Sequence, residues 1–251
     1  MKIKFAKRTL TKYPGQSCAK AGMQAIGEGF IGPSFEGNGQ QVVRSMIMQK
    51  WLQWVGGAIA MLALLAAPCA MAAQTEELAV FSGGCFWGVD AVFKHVKGVT
   101  DVVSGYSGGH AATATYEQVS MGNTGHAESV RVRFNPQQVS YSQLLQVFFR
   151  VAHNPTELNR QGPDEGSQYR SVIFYTSPAQ RQVALGMIRQ LDAAHVFSAP
   201  IVTQVVPLTQ FYPAEAWHQN YLEDHPDEPY IVYNDLPKLE LLRQRFPGLY
   251  R

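Results

Sequence analysis

The sequence predicts a single α+β domain built around a mixed sheet. From residue 77 onward, short stretches of strand-like alternation take turns with stretches of helical periodicity. They form no clear run of parallel βαβ units, which a doubly wound fold would require. The sequence has no internal repeat and no low-complexity tract, and its 251 residues allow one or two domains.

The first predicted elements flank a glycine-rich turn. Residues 77–81 form a short strand by pattern, and Ser82-Gly83-Gly84 turns the chain. Cys85 then opens an amphipathic helix that Gly98 is placed to end. The apolar positions of this helix, at helical spacing, are Phe86, Val89, Val92, Phe93 and Val96.

Two strands and a helix are predicted next. The first strand covers 99–106, and a loop rich in Gly, Ser, His and Thr follows over 107–115. Residues 128–134 alternate strictly, as a half-buried strand does. Ser140 and Gln143 then form a capping-box pattern ahead of an apolar helix.

The last third of the chain continues the same interleaving of strands and helices. Pro178 is favourable at a helix start, and Pro226 ends a helical stretch. The predicted elements are a loop over 154–168, a strand over 170–175, a helix over 177–195, a strand over 201–208 and a helical segment over 214–224.

The first 72 residues are interpreted as processing segments. Residues 1–45 lack sustained periodicity and are expected to be a disordered extension or the product of an upstream start codon. Residues 46–72 have the basic start, apolar run and small residues of a secretory signal peptide, and the run is shorter than the ~20 residues of a spanning helix. We expect cleavage after Ala72, no stable membrane insertion and a periplasmic or secreted domain over 76–251. An uncleaved anchor, or a lipoprotein lipidated on Cys69, is the alternative.

Removing this leader changes both the charge and the cysteine count. Residues 73–251 hold 13 Lys and Arg against 17 Asp and Glu, a net charge of −4, which does not suggest a nucleic-acid surface. Cys18 and Cys69 leave with the leader, so Cys85 cannot form a disulfide within the exported chain. A lone thiol in such a compartment is either buried and inert or kept for its reactivity.

Two residues carry the predicted chemistry. Cys85 lies where free backbone N–H groups and the helix dipole favour a thiolate, which indicates a reactive thiol more than a small core residue. Glu128 shares the strand face of Val130 and Val132. A carboxyl on an apolar face has a raised pKa and can act as a general acid. Alternatively, Glu128 lies at the solvent-exposed end of the strand.

The neighbours of Cys85 leave more than one interpretation open. Phe86 fits the apolar stripe of the helix and Trp87 points off it, so an exposed ring could receive an apolar substrate group, or both rings are core. No pair of histidines with the spacing of metal ligands occurs together with a second cysteine, so a zinc site is not expected. A histidine could instead pair with Cys85, as in a cysteine hydrolase. The candidates are His126, His153 and His218.

The segment Gly84-Cys85-Phe86-Trp87-Gly88 resembles the signature of the A-type peptide methionine sulfoxide reductases. The resemblance covers nearly all of residues 76–230, and it implies a two-layer α/β sandwich with a ferredoxin-like core. The other matching segments, in the family's order, are Ser104-Gly105-Tyr106-Ser107-Gly108-Gly109, Tyr116, Gly125-His126-Ala127-Glu128, Gln168-Tyr169-Arg170-Ser171, Phe211-Tyr212-Pro213-Ala214-Glu215 and His218-Gln219.

This resemblance implies repair of oxidative damage by reduction of the S epimer of methionine sulfoxide, free or in proteins, without metal or organic cofactor. Cys85 matches the nucleophile that attacks the sulfoxide sulfur, and Glu128 matches the acid that protonates its oxygen. The remaining implied residues are Tyr116 and Tyr169 as hydrogen-bonding groups, Asp164 as a supporting group, and Phe86 and Trp87 as the pocket for the substrate methyl group.

The C-terminal tail departs from the resemblance. Many family members carry resolving cysteines there, but residues 231–251 contain none. The sulfenic acid left on Cys85 must then be reduced by an external thiol, either a thioredoxin-like protein or a small thiol. The expected partners are oxidised proteins or free methionine sulfoxide, and a monomer is expected. Two further functions that a lone thiol could serve stay open, a methionine-binding module and a peroxide-reducing thiol enzyme.

Overall fold

The computed structural model describes residues 76–251, so the predicted extension at 1–45 and the predicted signal peptide at 46–72 lie outside the described residues. The described part contains eight strands and six α-helices. The strands are β1 Glu77–Ser82, β2 Val99–Ser107, β3 Ala127–Phe134, β4 Arg160–Gln161, β5 Asp164–Glu165, β6 Val172–Tyr175, β7 Gln204–Pro207 and β8 Phe211–Pro213. The helices are α1 Phe86–Lys94, α2 Tyr116–Ser120, α3 Tyr141–Val147, α4 Pro178–Ala193, α5 Tyr221–Asp224 and α6 Leu236–Arg245.

A six-stranded sheet in the order β7-β6-β1-β3-β2-β8 forms one layer. Strand β1 pairs antiparallel with β3 and β6, and β2 pairs antiparallel with β3. With α1 between β1 and β2, and α3 between β3 and β6, these four strands form a ferredoxin-like β-α-β-β-α-β core. Because β7 pairs parallel with β6, the sheet as a whole is mixed. The predicted α+β class, mixed sheet and ferredoxin-like core are confirmed.

The main hydrophobic core lies between this sheet and the helices. Successive residues of a strand face opposite sides, so Phe81 of β1 enters the main core while Val80 joins a smaller cluster on the other face. The Phe81 ring stacks on Phe93 of α1 and on Phe148, just after α3, with ring centroids 5.1 and 5.0 Å apart. These contacts fix α1 against β1, and thereby fix where the helix begins.

The helix starts predicted from the capping box at Ser140 and from Pro178 are both confirmed. At α3 the Ser140 hydroxyl accepts from the Gln143 N–H at 3.2 Å, while Gln143 Oε1 accepts from the Ser140 N–H at 2.8 Å. At α4 the Ser177 hydroxyl accepts from the Gln180 N–H at 3.2 Å. Each side chain satisfies an N–H group that the first helical turn leaves without a partner.

The structure differs from the sequence prediction around residues 214–224. The segment is a 3-10 turn, Ala216–His218, followed by the four-residue α5. Asn220 between them has a φ of 58°, a left-handed conformation that interrupts a right-handed helix and that asparagine tolerates better than most residues. Within the predicted loop 154–168 lie the β4–β5 hairpin and a 3-10 turn, Ser167–Tyr169.

The tail, for which the sequence pattern predicts no element, is firmly packed. It forms a π-helical turn, Ile231–Asp235, and then α6. Leu242 of α6 is fully buried in the main core, and the Arg251 N–H donates to the His95 carbonyl at 3.0 Å. The tail therefore lies along α1. Among residues 76–251, no helix has the length and apolar character needed to cross a membrane.

Candidate active site

Two glycines bring Cys85 to the end of β1 and the start of α1. Gly84 has a φ of +88°, and a Cβ there would lie 2.6 Å from Gln161 Cγ. A Cβ at Gly83 would lie 2.8 Å from the His153 ring. Only glycine fits both the left-handed backbone and these close approaches. Cys85, at the N-cap of α1, is thereby held against neighbouring loops and is only 8% exposed.

The structure corrects the expected charge of Cys85. Helix-start geometry predicts a resting thiolate, and the Trp87 backbone N–H does act in that direction. Burial outweighs it and raises the pKa of the Cys85 thiol well above its ordinary value, with the negative charges of Glu128 and Asp235 adding to the rise. Near neutral pH the resting group is therefore a thiol, and the thiolate that the helix start favours is the minor form.

Glu128 confirms the alternation argument. It lies near the start of β3 on the same face as Val130 and Val132, and it is 3% exposed. The Phe86 backbone N–H, at the start of α1, donates to Glu128 Oε2 at 3.0 Å. Burial raises the pKa of Glu128 to about 8, although this hydrogen bond acts in the opposite direction. A carboxyl that is largely protonated at neutral pH therefore lies beside the start of α1, the helix that Cys85 caps.

Tyr116 and Tyr169 reach the same region from different elements. Tyr116 begins α2, and its backbone N–H donates to Glu215 Oε1 at 2.9 Å. Tyr169 ends the 3-10 turn Ser167–Tyr169. Burial raises the pKa of both phenols, and the charge of Glu128 is the next cause for each. Both hydroxyls therefore stay protonated and can donate hydrogen bonds close to Glu128.

Asp164 closes another side of the site through Tyr230. The Tyr230 hydroxyl donates to Asp164 Oδ2 at 2.5 Å. Burial raises the pKa of Asp164, whereas this hydrogen bond and the charge of Lys238 lower it. Burial also raises the pKa of Tyr230, with the charge of Cys85 as the next cause. Sequence reasoning missed Tyr230, because the tail around it has no periodic pattern and lies beyond the matching segments.

Aromatic rings form the rest of the site. Phe86 is 1% exposed, while Trp87 is half-buried and stacks on Tyr221 with ring centroids 3.7 Å apart. The Trp87 indole N–H donates to His218 Nδ1 at 3.1 Å, and Tyr230 meets the Trp87 ring edge-on at 6.0 Å. Phe86 therefore belongs to the core, and Trp87 is the ring of the two that remains partly accessible.

The three candidate histidines have other roles. His126 Nδ1 accepts from the Gly109 N–H, and its Nε2 contacts the His110 carbonyl. His153 contacts the Phe148 carbonyl and the Ser171 hydroxyl. His218 accepts from Trp87. None of these contacts reaches Cys85, so the geometry does not support a cysteine–histidine hydrolase. Residues 76–251 also contain no group of side chains suited to hold a metal ion.

The family model and the relatives that match this chain belong to one protein family. Residues 77–248 match the family model described as peptide methionine sulfoxide reductase. The chain is 58% identical to peptide methionine sulfoxide reductase MsrA 2 of Mesorhizobium japonicum over 179 residues, 71% of this chain and 92% of that protein. It is 49% identical to MsrA of Thermus thermophilus over 176 residues, 70% of this chain and 98% of that protein.

Solved structures agree with these relatives. The chain is similar to Mxr1 of Saccharomyces cerevisiae in its reduced form, with a TM-score of 0.58, 31% identity, and coverage of 62% of this chain and 89% of that one. Methionine sulfoxide reductase A of Corynebacterium diphtheriae gives a TM-score of 0.54 and 34% identity, over 60% of this chain and 76% of that one.

Proposed function

Because the chain belongs to the A-type peptide methionine sulfoxide reductase family and reduces methionine sulfoxide to methionine, we propose that Cys85 is its nucleophile and Glu128 its general acid. The observation that carries this assignment is the hydrogen bond from the Phe86 N–H to the buried Glu128 carboxyl. It places a protonated acid beside the start of the helix that Cys85 caps. A sulfoxide oxygen leaves readily only once it is protonated, and this arrangement supplies the proton away from bulk water.

The reaction then balances over two steps. The Cys85 thiolate forms a bond to the sulfoxide sulfur while Glu128 protonates the sulfoxide oxygen, and the S–O bond breaks as that oxygen takes a second proton and leaves as water. Water then adds to the Cys85 sulfur, the S–S bond breaks, methionine leaves, and Cys85 remains as a sulfenic acid. Starting from the resting thiol, the thiol proton replaces the one that Glu128 gives up. Cys85 is oxidised and the substrate sulfur is reduced, with no other electron carrier.

The remaining site residues orient the substrate in this proposal. Tyr116 and Tyr169 donate to the sulfoxide oxygen as its negative charge grows, which is the interaction that lowers the barrier. Asp164 holds Tyr230 in place. The substrate methyl group rests against the accessible ring of Trp87, while the buried Phe86 ring packs on His218, the hydrogen-bond partner of Trp87. The fixed order of these groups around one chiral sulfur selects the S epimer.

The enzyme is regenerated by a thiol from outside the chain. Cys85 is the free cysteine among residues 76–251, so the described part offers it no partner for an internal disulfide. One external thiol condenses with the sulfenic acid and releases water, and a second thiol displaces Cys85 as a thiol and leaves as a disulfide. A thioredoxin-like protein or a small thiol supplies these two thiols by the same pair of reactions. No metal or organic cofactor takes part in these steps.

Epimer-resolved turnover tests the proposed function. The full chain, with dithiothreitol as reductant, should convert a peptide containing the S epimer of methionine sulfoxide and leave the R epimer unchanged. Free methionine sulfoxide, assayed beside the peptide, reports which form is preferred. Conversion of the R epimer alone, or of neither epimer by folded protein with several thiols, would contradict the proposal.

The ratio kcat/KM should rise as the pH approaches 8. The reactive state holds its proton on Glu128 while Cys85 is a thiolate. Burial raises the pKa of Glu128 to about 8 and that of Cys85 above its ordinary value, so at lower pH both groups are protonated. Between about pH 6 and about pH 8 the reactive state grows about tenfold for each pH unit, and above that kcat/KM levels. A flat or falling profile below pH 8 would contradict this assignment.

Removing either phenolic hydroxyl should slow the chemical step. Tyr116→Phe and Tyr169→Phe each lose a donor to a developing charge, and we expect kcat to fall roughly ten- to hundredfold with the fold retained. Tyr233→Phe, a substitution at a tyrosine that is 78% exposed, is the matched control and should leave kcat unchanged. Equal kcat in all three variants would remove the two tyrosines from the mechanism.

Export and oligomeric state are parts of the same proposal. The basic start, short apolar run and Ala70-Met71-Ala72 ending of residues 46–72 support secretion and cleavage after Ala72. The substrates would then be oxidised proteins of the cell envelope or exterior, met by a monomeric domain. N-terminal sequencing of the protein from fractionated cells and its size-exclusion mass test both points. A cytoplasmic protein with residues 46–72 still attached would overturn the export assignment.

A further inference from the structure

A buried ion pair from the C-terminal tail is seated against the helix that Cys85 begins. Asp235, which ends the turn Ile231–Asp235, is fully buried, and its Oδ1 lies 3.0 Å from Lys238 Nζ of α6. Lys238 is itself 18% exposed at the side chain. Burying a charged pair is costly, and such pairs are kept where they fix a specific arrangement. The mechanism proposed above uses neither residue.

Gly88, three residues after Cys85, leaves the space for this pair. A Cβ at Gly88 would overlap Asp235 Oδ1 and would lie 2.8 Å from Lys238 Nζ. Any larger residue at position 88 would therefore push the pair off the first turns of α1. This contact gives a physical reason for the second glycine of the Gly84-Cys85-Phe86-Trp87-Gly88 segment.

The pair also belongs to the electrostatic surroundings of the sulfur. The charge of Asp235 is among those that raise the pKa of Cys85, and the charge of Lys238 acts on Asp164. Asp235 Oδ2 is buried and has no hydrogen-bond partner among the described residues, so nothing but Lys238 offsets this carboxylate. The other titratable groups that interact with Cys85 are Glu128 of β3, Asp164 of β5, Tyr116 of α2, Tyr169 of the 3-10 turn, Tyr221 of α5 and Tyr230 just before the tail.

We propose that Asp235 and Lys238 are positioning residues for the reaction: their ion pair, seated in the notch at Gly88, holds the nucleophile helix and supplies a carboxylate whose charge disfavours the thiolate of Cys85. The inference rests on the proposed role of Cys85 and extends it to the tail. A negative charge near the sulfur suppresses the thiolate in the empty site, which protects a solitary thiol from oxidation. The tail thus acts on the nucleophile through charge, although it supplies no cysteine.

Alkylation of Cys85 tests the proposal without any sulfoxide. The full-length protein is treated with iodoacetamide over a range of pH, and the modification of the peptide that contains Cys85 is followed by mass spectrometry, which separates it from Cys18 and Cys69. Asp235→Asn removes the negative charge and leaves Lys238 as a lone cation. We expect Cys85 to react roughly three- to tenfold faster at pH 7, with its pH profile moved to lower pH.

Two further variants keep the test decisive. Asp235→Asn combined with Lys238→Gln replaces the pair by neutral groups of similar size, so it should fold even where the single variant is unstable, and it should also react faster. Glu240→Gln, on the exposed side of α6, is the matched control and should follow the parent. Thermal unfolding confirms the fold of each variant.

The possible results separate this proposal from the proposed function. Unchanged or slower alkylation in folded Asp235→Asn and in the double variant would overturn the electrostatic role and leave the pair as packing alone. Faster alkylation of these variants, when the parent protein never reduces methionine sulfoxide, would instead overturn the proposed roles in catalysis and leave the effect of Asp235 on the thiol intact.

Discussion

Cys85→Ser should abolish reduction of methionine sulfoxide, with a loss in kcat of roughly four orders of magnitude or more. A serine hydroxyl in this buried position is far less acidic and less nucleophilic than a thiol, and it cannot form the sulfenic acid that carries the oxygen away. The side chains differ by one atom, and Cys85 caps α1 without a side-chain hydrogen bond to the helix, so the fold should be retained. Turnover of an S-epimer peptide and thermal unfolding together measure this.

The control for this variant is the joint substitution Cys18→Ser and Cys69→Ser. Because Cys85 is the free cysteine of the described residues and regeneration is assigned to an external thiol, this variant should keep the parent rate. Loss of turnover in the control would mean that a leader cysteine resolves the sulfenic acid. Retained turnover in Cys85→Ser would remove the nucleophile from the mechanism.

The parent protein and Cys85→Ser also separate the competing functions. A methionine-binding module would bind its ligand equally well after Cys85→Ser, whereas the enzyme loses all turnover. A peroxide-reducing thiol enzyme would consume hydrogen peroxide rapidly and independently of methionine sulfoxide. An activated ester that trapped a thioester on Cys85 would support a hydrolase, although the histidine contacts favour other roles.

The parts of the site that sequence predicts are those fixed by local patterns. The alternation of 128–134 places Glu128 on the buried face, because the side-chain period of a strand is two. The Gly-Gly turn places Cys85 at a helix start for an equally local reason. The capping box at Ser140 and the proline at position 178 locate two more helices in the same way.

What the sequence does not predict depends on contacts between distant segments. The charge state of Cys85 follows from burial and from Glu128 and Asp235, which lie 43 and 150 positions further along the chain. Tyr230 and Asp235 reach the site because α6 packs on the main core through Leu242. The sequence around them has no periodic pattern that would predict this packing. The helix start favours the thiolate through local N–H groups, whereas the larger cost of burying a thiolate depends on how the whole domain packs around it.

Glu128→Gln should lower kcat roughly a hundred- to ten-thousandfold while leaving substrate binding nearly unchanged. Glutamine keeps the shape of the side chain, and its amide oxygen can still accept from the Phe86 N–H, so the start of α1 should not move. The amide cannot give a proton to the sulfoxide oxygen, and general acid catalysis is worth this range of rate. Glu117→Gln, on the exposed side of α2, is the matched control and should follow the parent.

The pH profile of Glu128→Gln makes its effect specific to proton donation. Burial raises the pKa of Glu128 to about 8, and the charge of its ionised form raises the pKa of the Cys85 thiol. Above about pH 8, where Glu128 is ionised in the parent, removing that charge should let Cys85 ionise more readily and react faster with iodoacetamide, even as kcat falls. A variant that loses turnover and also alkylates more slowly would show a damaged site rather than a missing acid. Faster alkylation above about pH 8 together with lost turnover would show that the thiol is intact and more easily ionised, so the loss of rate belongs to the missing proton donor.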